Sequence, residues 1–158
     1  RFTWLCHYVL GLTIGAAAAG GWIAVTGSFA PTAYALWAGV GLWIAGFDIL
    51  YATQDYTFDR AHGVKSIPAR FGIPQALRVA RASHLLAWLA FLWAGVSYGA
   101  GPLYYLGLLL VGGLLLLEHR LVSPEDLSKV EVAFFQANVG VSLGMFLFIV
   151  LDLLARGA

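Results

Sequence analysis

Five long apolar stretches, separated by short polar or glycine- and proline-containing segments, dominate this sequence of 158 residues. A helix that crosses the hydrocarbon core of a bilayer needs about 20 mainly apolar residues, because a rise of about 1.5 Å per residue must cover about 30 Å. The stretches that reach or approach this length lie at about residues 2–25, 34–58, 77–98, 103–117 and 132–151. The sequence therefore predicts an all-α fold, a polytopic transmembrane helix bundle with five spans.

The composition excludes other broad classes of protein. Hydrophobic residues make up 61% of the chain and charged residues 11%, whereas a soluble globular domain has about 45–50% apolar and about 25% charged residues. Cys6 is the only cysteine, so no internal disulfide is possible, and His84 and His119 are too isolated to indicate a metal site. The net charge of +1 gives no reason to expect a nucleic-acid partner. The expected surroundings are the lipid bilayer.

The basic residues predict the orientation of the bundle. If the spans alternate in direction, Arg1, five basic residues in segment 60–81 and two in segment 118–131 fall on one side, which leaves Arg156 on the other. The positive-inside rule assigns the richer side to the cytoplasm. We therefore expect a multi-pass protein of the cell inner (plasma) membrane with cytoplasmic active-site loops. Asp152, at the outer end of the last span, is expected to be solvated.

Two pairs of glycines at four-residue spacing predict close approaches between helices. They are Gly11 with Gly15 in the first stretch and Gly140 with Gly144 in the last. Small residues let helix backbones come together where lipid supplies no hydrophobic driving force. We interpret both pairs as packing features.

Three carboxylates and a tyrosine mark the second stretch and its continuation. At steps of three and four residues, they are Asp48, Tyr51, Asp55 and Asp59. On a continuous helix this spacing would place all of them on one face. Carboxylates four residues apart repel each other, and acids at membrane depth usually face a functional cavity. A positive partner is therefore expected at this face.

Two positive partners fit the acidic face. One is Mg²⁺, which keeps several waters and is usually held by one or two carboxylates plus substrate phosphates, as Asp55 and Asp59 would provide. The other is the following loop, whose basic side chains would contact an anion seated on that metal. These side chains are Arg60, Lys65 and Arg70.

The same segment resembles the second aspartate-rich motif of the UbiA superfamily of membrane-embedded aromatic prenyltransferases. It reads Asp48-x-x-Tyr51-Ala52-x-x-Asp55-x-x-x-Asp59-Arg60-x-x-Gly63-Val64-Lys65-Ser66-Ile67-Pro68. The likeness is nearest to the 4-hydroxybenzoate polyprenyltransferase-like branch, including its relatives in menaquinone synthesis. It extends to the first span and to Phe134, Phe135 and Asn138 in the last, so it covers essentially the whole chain.

This resemblance implies a fold and a reaction. Members of the superfamily are nine-helix bundles in which two aspartate-rich motifs hold Mg²⁺ against a polyprenyl diphosphate. The allylic carbocation left by the departing diphosphate alkylates an electron-rich aromatic acid. The implied function is Mg²⁺-dependent transfer of a polyprenyl group to 4-hydroxybenzoate or a naphthoate in ubiquinone or menaquinone biosynthesis. By position, the resemblance implies that Asp55 and Asp59 bind the metal. It implies that Asp48 and Tyr51 line the pocket. Lys65 and Arg70 are implied to bind the diphosphate.

The sequence departs from the family pattern in one respect. The first motif, Asn-Asp-x-x-Asp-x-x-x-Asp, is absent, since Asn138 is the only asparagine and no aspartate follows it at that spacing. Counted back from the second motif, the five spans correspond to the last five of the nine family helices. We therefore expect residues 1–158 to be the C-terminal part of one transmembrane prenyltransferase domain, partnered by missing N-terminal helices and inactive alone.

Two other classes of protein remain as alternatives. In a cation transporter, Asp48, Asp55 and Asp59 would bind or relay ions along a path. The basic loop argues against this function, because Lys65 and Arg70 beside the acids suit a phosphate and oppose a cation. A purely structural membrane subunit would explain the spans and leave the acidic face without a role.

Overall fold

The computed structural model describes residues 2–157, except for the side chains of Ala133 and Phe134. Over that range the chain is helical and has no strand. The helices are α1 (Cys6–Thr26), α2 (Pro31–Tyr51), α3 (Tyr56–His62), α4 (Ile67–Phe71), α5 (Ile73–Tyr98), α6 (Pro102–Leu121) and α7 (Val130–Arg156). Five of them, α1, α2, α5, α6 and α7, are long and apolar enough to cross a membrane. The all-α fold with five spans is therefore confirmed.

Several helix ends differ from the predicted spans. Hydropathy placed the end of the fourth span at residue 117, but α6 continues to Leu121 because Glu118 is buried within the bundle and does not end the helix. The second span ends at Tyr51, earlier than predicted. Arg1, which contributed to the predicted orientation, and the side chain of Phe134, which contributed to the family resemblance, lie outside the described residues.

The tight connection between α5 and α6 is built from breaker residues. Gly99 ends α5 with a φ of 69°, a left-handed conformation that glycine adopts without steric penalty. Pro102 begins α6, where its fixed φ suits the first turn and its missing N–H is not needed. The predicted glycine- and proline-rich turn is therefore present, and it holds the two helices antiparallel.

The first turn of α6 is capped from the far end of the chain, by Asp152 on α7. Its carboxylate accepts hydrogen bonds from the Gly101 N–H at 2.8 Å and the Tyr104 N–H at 3.3 Å, and Arg156 lies 3.6 Å away. Asp152 is only 3% exposed, so the expectation that it is solvated was wrong. The physical reason is that the free N–H groups of a helix N-terminus provide a buried carboxylate with partners.

Glycines bring α1 against α2 and α6 against α7. A Cβ on Gly11 would overlap the Gly41 carbonyl oxygen, and one on Gly15 would lie 2.7 Å from the Trp37 carbonyl oxygen. On α7, a Cβ on Gly144 would lie 2.9 Å from a Leu110 methyl group. The predicted packing role of these glycines is confirmed. In between, α2 packs along α5, so the long helices form one connected bundle.

A hydrophobic core at one end of the bundle anchors the segment between α2 and α5. Ile67, at the start of α4, is 1% exposed and packs with Ile49 and Leu50 of α2 and Leu77 of α5. The same core reaches Val130 at the start of α7. The loop that carries the basic motif residues is therefore fixed to three of the long helices.

Candidate functional site

The helix that was predicted to carry all the acidic residues is divided in two. α2 ends at Tyr51, and residues 52–55 form successive turns in which the Thr53 N–H contacts the Leu50 carbonyl at 3.2 Å and the Asp55 N–H contacts the Ala52 carbonyl at 3.2 Å. The buried Thr53 hydroxyl also donates to the Leu50 carbonyl, at 2.7 Å, and so competes for the helical acceptor. The prediction of one continuous helix over 34–58 was wrong for this reason. The four side chains at steps of three and four do not share a single helix face.

Asp48 is held by a histidine from α1. Its Oδ2 lies 2.7 Å from Nδ1 of His7, and Nε2 of His7 accepts a hydrogen bond from the Ile67 N–H at 3.3 Å. Since Nε2 accepts, Nδ1 carries the proton and donates to Asp48. His7 is 4% exposed, and it thereby connects α1, the end of α2 and the start of α4.

Asp59 is the most buried carboxylate of the motif. It is 7% exposed on α3, and its Oδ2 accepts a hydrogen bond of 2.7 Å from the Ser66 hydroxyl. Ser66 in turn accepts from the Ala69 N–H and caps α4. Gly63 turns the chain back with a φ of 66°, and the Val64 N–H donates to the Asp59 carbonyl. The end of the motif therefore folds back onto its third aspartate, Asp59.

These turns border an open cavity of about 280 Å³, which we name the basic cleft. Three cationic side chains surround it. Lys65 donates to the Phe2 carbonyl at 3.2 Å, and the Arg70 guanidinium lies 5.0 Å from the centre of the Trp4 ring. Arg60 donates to the Tyr56 hydroxyl at 2.9 Å. The residues that line the cleft are Trp4, Asp59, Arg60, Gly63, Val64, Lys65, Ser66, Ala69 and Arg70.

The structure brings some of the predicted site residues together and leaves others apart. Asp59, Lys65 and Arg70 line the basic cleft. Asp55, at the start of α3, is exposed, and Tyr51 is 38% exposed at the end of α2. Neither they nor Asp48 are among the lining residues in the described part of the chain. Three cations around one carboxylate give the cleft a net positive character, which suits an anion with phosphate oxygens.

The acidic residues fit a magnesium ion only as a partial ligand set. Asp55 and Asp59 lie one helical turn apart, and the Asp59 N–H donates to the Asp55 carbonyl at 2.8 Å. Within residues 2–157, no group of three or more His, Cys, Asp or Glu side chains is gathered for a metal. Mg²⁺ requires few protein ligands when phosphates and waters supply the others. Asp55 and Asp59 are therefore the residues of this segment that could hold a metal arriving with a phosphate-bearing substrate.

Sequence reasoning gave no site role to His7, Ser66 or Trp4. A histidine inside an apolar span was the available signal for His7, because ionisable groups at membrane depth usually have a named partner. Ser66 lies inside the quoted motif, seven residues after Asp59. Nothing in the pattern around Trp4 indicated that its ring would lie beside Arg70.

Two histidines expected to be isolated from each other are in contact. Nδ1 of His84 on α5 lies 2.9 Å from Nε2 of His119 on α6, and Nε2 of His84 lies 3.2 Å from the Trp43 carbonyl oxygen. Because that carbonyl accepts from Nε2, a neutral His84 accepts at Nδ1 from His119. The pair is too far apart in sequence for spacing to have revealed it.

The fold and cleft together define a polytopic membrane protein with a phosphate-compatible site at one end of its helices. Comparison with known proteins agrees, since residues 1–149 match the UbiA prenyltransferase family. The chain therefore belongs to the UbiA prenyltransferase family.

Curated relatives and a solved structure match nearly the whole chain. The 4-hydroxybenzoate octaprenyltransferase of Methylococcus capsulatus is 34% identical over 92% of this chain and 51% of its own length. That of Pseudomonas fluorescens is 30% identical over 99% of this chain and 52% of its own length. An apo structure of a UbiA homolog from Aeropyrum pernix K1 superposes with a TM-score of 0.82 at 31% identity, covering 97% of this chain and 57% of the other. The chain thus spans about half the length of the curated relatives it matches.

Proposed function

We propose that this chain contributes one half of the active site of an aromatic prenyltransferase of quinone biosynthesis. The donor would be a polyprenyl diphosphate, and the acceptor 4-hydroxybenzoate or a naphthoate. The observation that carries the proposal is the basic cleft, in which Asp59 and Lys65 of the family motif lie together with Arg70, which follows the motif. The names of the relatives support the same reaction.

The residues of the cleft suit the departure of a diphosphate. In the reaction, the bond between the allylic carbon and the diphosphate oxygen breaks, and its electron pair leaves with the diphosphate. The allylic cation then forms a carbon–carbon bond with the aromatic ring, which loses a proton to solvent. Lys65 and Arg70 would bind the diphosphate oxygens and stabilise the charge that develops on them.

Magnesium would be the cofactor of this reaction. Asp55 and Asp59 are the residues that would hold Mg²⁺, and the ion would neutralise charge on the diphosphate when bound. Asp48 would contribute to the wall of the substrate pocket, because His7 fixes its carboxylate at the end of α2. Tyr51, one turn after Asp48 on α2, would line the same wall.

We propose further that the basic end of the bundle faces the cytoplasm at the inner (plasma) membrane. Apart from Arg156, the basic residues after residue 1 cluster at the α2–α5 connection, the first turns of α5 and the α6–α7 connection, which all lie at one end. Positive residues in short loops favour the cytoplasmic side. The cleft would then open where water-soluble aromatic acids are available.

The two motifs of the family would meet in the complete site. This chain supplies the second motif, and the first would come from N-terminal helices outside residues 1–158. Supporting this, the relatives are about twice as long as the chain that matches them. We therefore propose that the chain alone does not catalyse prenyl transfer. A cation transporter is not favoured, because three cationic side chains surround the buried Asp59.

The test is prenyl transfer by the complete protein in vesicles, with polyprenyl diphosphate and either 4-hydroxybenzoate or a hydroxynaphthoate. Lys65→Gln and Arg70→Gln should each lower product formation about 100-fold, as loss of a charge-stabilising group does. Arg78→Gln is the matched control, because Arg78 lies on α5 outside the cleft. Equal activity of all three variants would show that the cleft takes no part in the reaction.

A further inference from the structure

A second concave surface lies between α5 and α6, and we name it the α5–α6 groove. Its volume is about 830 Å³, within the roughly 300–1,000 Å³ of small-molecule sites. In the described chain it shares no lining residue with the basic cleft. Its walls are apolar over most of their length, with Leu85 and Trp88 on α5 and Leu109 and Leu116 on α6.

Adjacent glycines on α6 create this groove. Gly112 faces Trp88, whose indole nitrogen lies 2.9 Å from where a Gly112 Cβ would be. The Trp88 N–H donates to the Leu108 carbonyl at 2.8 Å and so fixes the ring between the helices. Gly113 faces open space, with nothing within 4 Å of an added Cβ. The groove is therefore a space kept free of side chains by two residues.

The polar end of the groove is cationic. Arg81 on α5 and Arg120 in the last turn of α6 both line it. His84 and His119 also line this end, where their rings are hydrogen-bonded to each other and Nδ1 of His84 lies 3.5 Å from an oxygen of the buried Glu118. The guanidinium groups are thus the side chains at this end that are suited to bind an external anion.

The length of the groove matches one leaflet. Along α6 it runs from Leu109 to Arg120, which is about 16 Å at about 1.5 Å per residue. Half of a hydrocarbon core of about 30 Å is about 15 Å. An apolar chain lying against the leucines would therefore place its headgroup at the two arginines, at the membrane surface.

We propose that the α5–α6 groove binds an anionic phospholipid. One acyl chain lies along α6 over Gly113, and the phosphate lies between Arg81 and Arg120. Basic sites between transmembrane helices on the cytoplasmic side attract such headgroups. A phospholipid fits better than a prenyl diphosphate, because no carboxylate lines the groove in the described chain and a diphosphate with its divalent cation would lack acidic ligands.

Lipid retention by native mass spectrometry tests this proposal. The chain is purified in a neutral detergent and titrated with phosphatidylglycerol or phosphatidylcholine of identical acyl chains. Phosphatidylglycerol should bind at least tenfold more tightly. Arg81→Gln and Arg120→Gln should each weaken its binding about fivefold, since a basic residue near the surface contributes about that factor. Arg78→Gln, on the same helix outside the groove, should leave binding unchanged.

A filling variant separates the groove from general surface charge. Gly113→Leu places a side chain in the open groove, and Gly20→Leu is its control, because an added Cβ on Gly20 of α1 also meets nothing within 4 Å. We expect Gly113→Leu to abolish the preference for phosphatidylglycerol and Gly20→Leu to retain it, with equal helicity by circular dichroism. Binding that is indifferent to Gly113→Leu or to the headgroup overturns the proposal. Competition by millimolar inorganic phosphate, or by farnesyl diphosphate at lower concentration than phosphatidylglycerol, also overturns it.

Discussion

His7 joins three segments of the chain through two hydrogen bonds, one to Asp48 and one from the Ile67 N–H. Its partners are 41 and 60 residues away in sequence. A buried group that loses such a partner is left with the full penalty of desolvation. The placement of Asp48 at the end of α2 therefore depends on a side chain that the motif itself does not contain.

A double-mutant cycle on this pair measures the dependence. His7→Gln and Asp48→Asn should each lower the free energy of unfolding by about 1–3 kcal/mol, and the double variant should lose less than their sum by about 1 kcal/mol or more. Thermal or denaturant unfolding of the chain in detergent provides the measurement. The matched control pairs His7→Gln with Asp126→Asn, which lies in the loop before α7 and should be additive. Additive effects for His7 and Asp48 would contradict the contact.

The charge of Asp59 can be removed without changing the size of its side chain. Asp59→Asn keeps the size of the side chain and an oxygen for the Ser66 hydroxyl, but removes the charge. We expect prenyl transfer by the complete protein to fall about 100-fold, with stability changed by no more than about 1 kcal/mol. Ser66→Ala, which removes this hydrogen bond and the cap of α4 but keeps the carboxylate, is the paired variant and should retain most activity. If Ser66→Ala is the more damaging of the two, Asp59 has a structural role.

At the level of elements, α1 and α2 depend on close contact between glycines. A larger residue at position 11 would have to displace the Gly41 carbonyl of the facing backbone, which cannot move aside as a side chain can. Gly11→Leu should therefore destabilise the chain by about 2 kcal/mol or more. Unfolding in detergent, compared with Gly20→Leu on the same helix, gives the measurement. Equal stability of the two variants would mean that the α1–α2 contact is looser than described.

Asp152 connects the end of α7 to the start of α6. Asp152→Leu should lower the free energy of unfolding by about 2–3 kcal/mol, because the Gly101 and Tyr104 N–H groups lose their acceptor. Asp152→Asn, which keeps an oxygen but not the charge, should lose about 1 kcal/mol. Hydrogen exchange at the first turn of α6 should rise in the leucine variant. Unchanged exchange there would argue that the cap does not hold this turn.

Sequence patterns predicted these elements to different degrees. The five long helices were evident because membrane thickness demands a length and an apolarity that few other structures require. The break after Tyr51 was not, because the competition between the Thr53 hydroxyl and the helix depends on burial of that side chain. The cap at α6 was also hidden, since its acceptor lies 51 residues from the Gly101 N–H.

The residues of the candidate site were likewise predictable from sequence only in part. Asp59, Lys65 and Arg70 lie within one short stretch of sequence, so local turns bring them to one cleft and their type already indicated a phosphate. Asp48 and Asp55 were placed with them by assuming a continuous helix. The contact of His7 with Asp48 needs the α1–α2 packing and lies beyond any local pattern.

At the scale of the whole molecule, the five long helices form one connected bundle that carries one of the two family motifs. The chain spans about half the length of its curated relatives. We expect a bundle of this kind to insert in a membrane and to bind an anion in its cleft, because both properties depend on helices that are present. We expect prenyl transfer to require also the acceptor pocket and the first aspartate-rich motif of the family. These two capacities can therefore be separated by experiment.

We expect the 158-residue chain in vesicles to bind inorganic diphosphate but to form no prenylated product with Mg²⁺, farnesyl diphosphate and 4-hydroxybenzoate. The Pseudomonas fluorescens 4-hydroxybenzoate octaprenyltransferase, reconstituted identically, is the positive control for the assay. Diphosphate binding should weaken about fivefold or more in Lys65→Gln, because a phosphate contact is lost. Arg78→Gln should bind as the parent does. Product formation by the chain alone would show that its five helices hold a complete site, and absence of Lys65-dependent binding would show that the cleft does not recognise diphosphate.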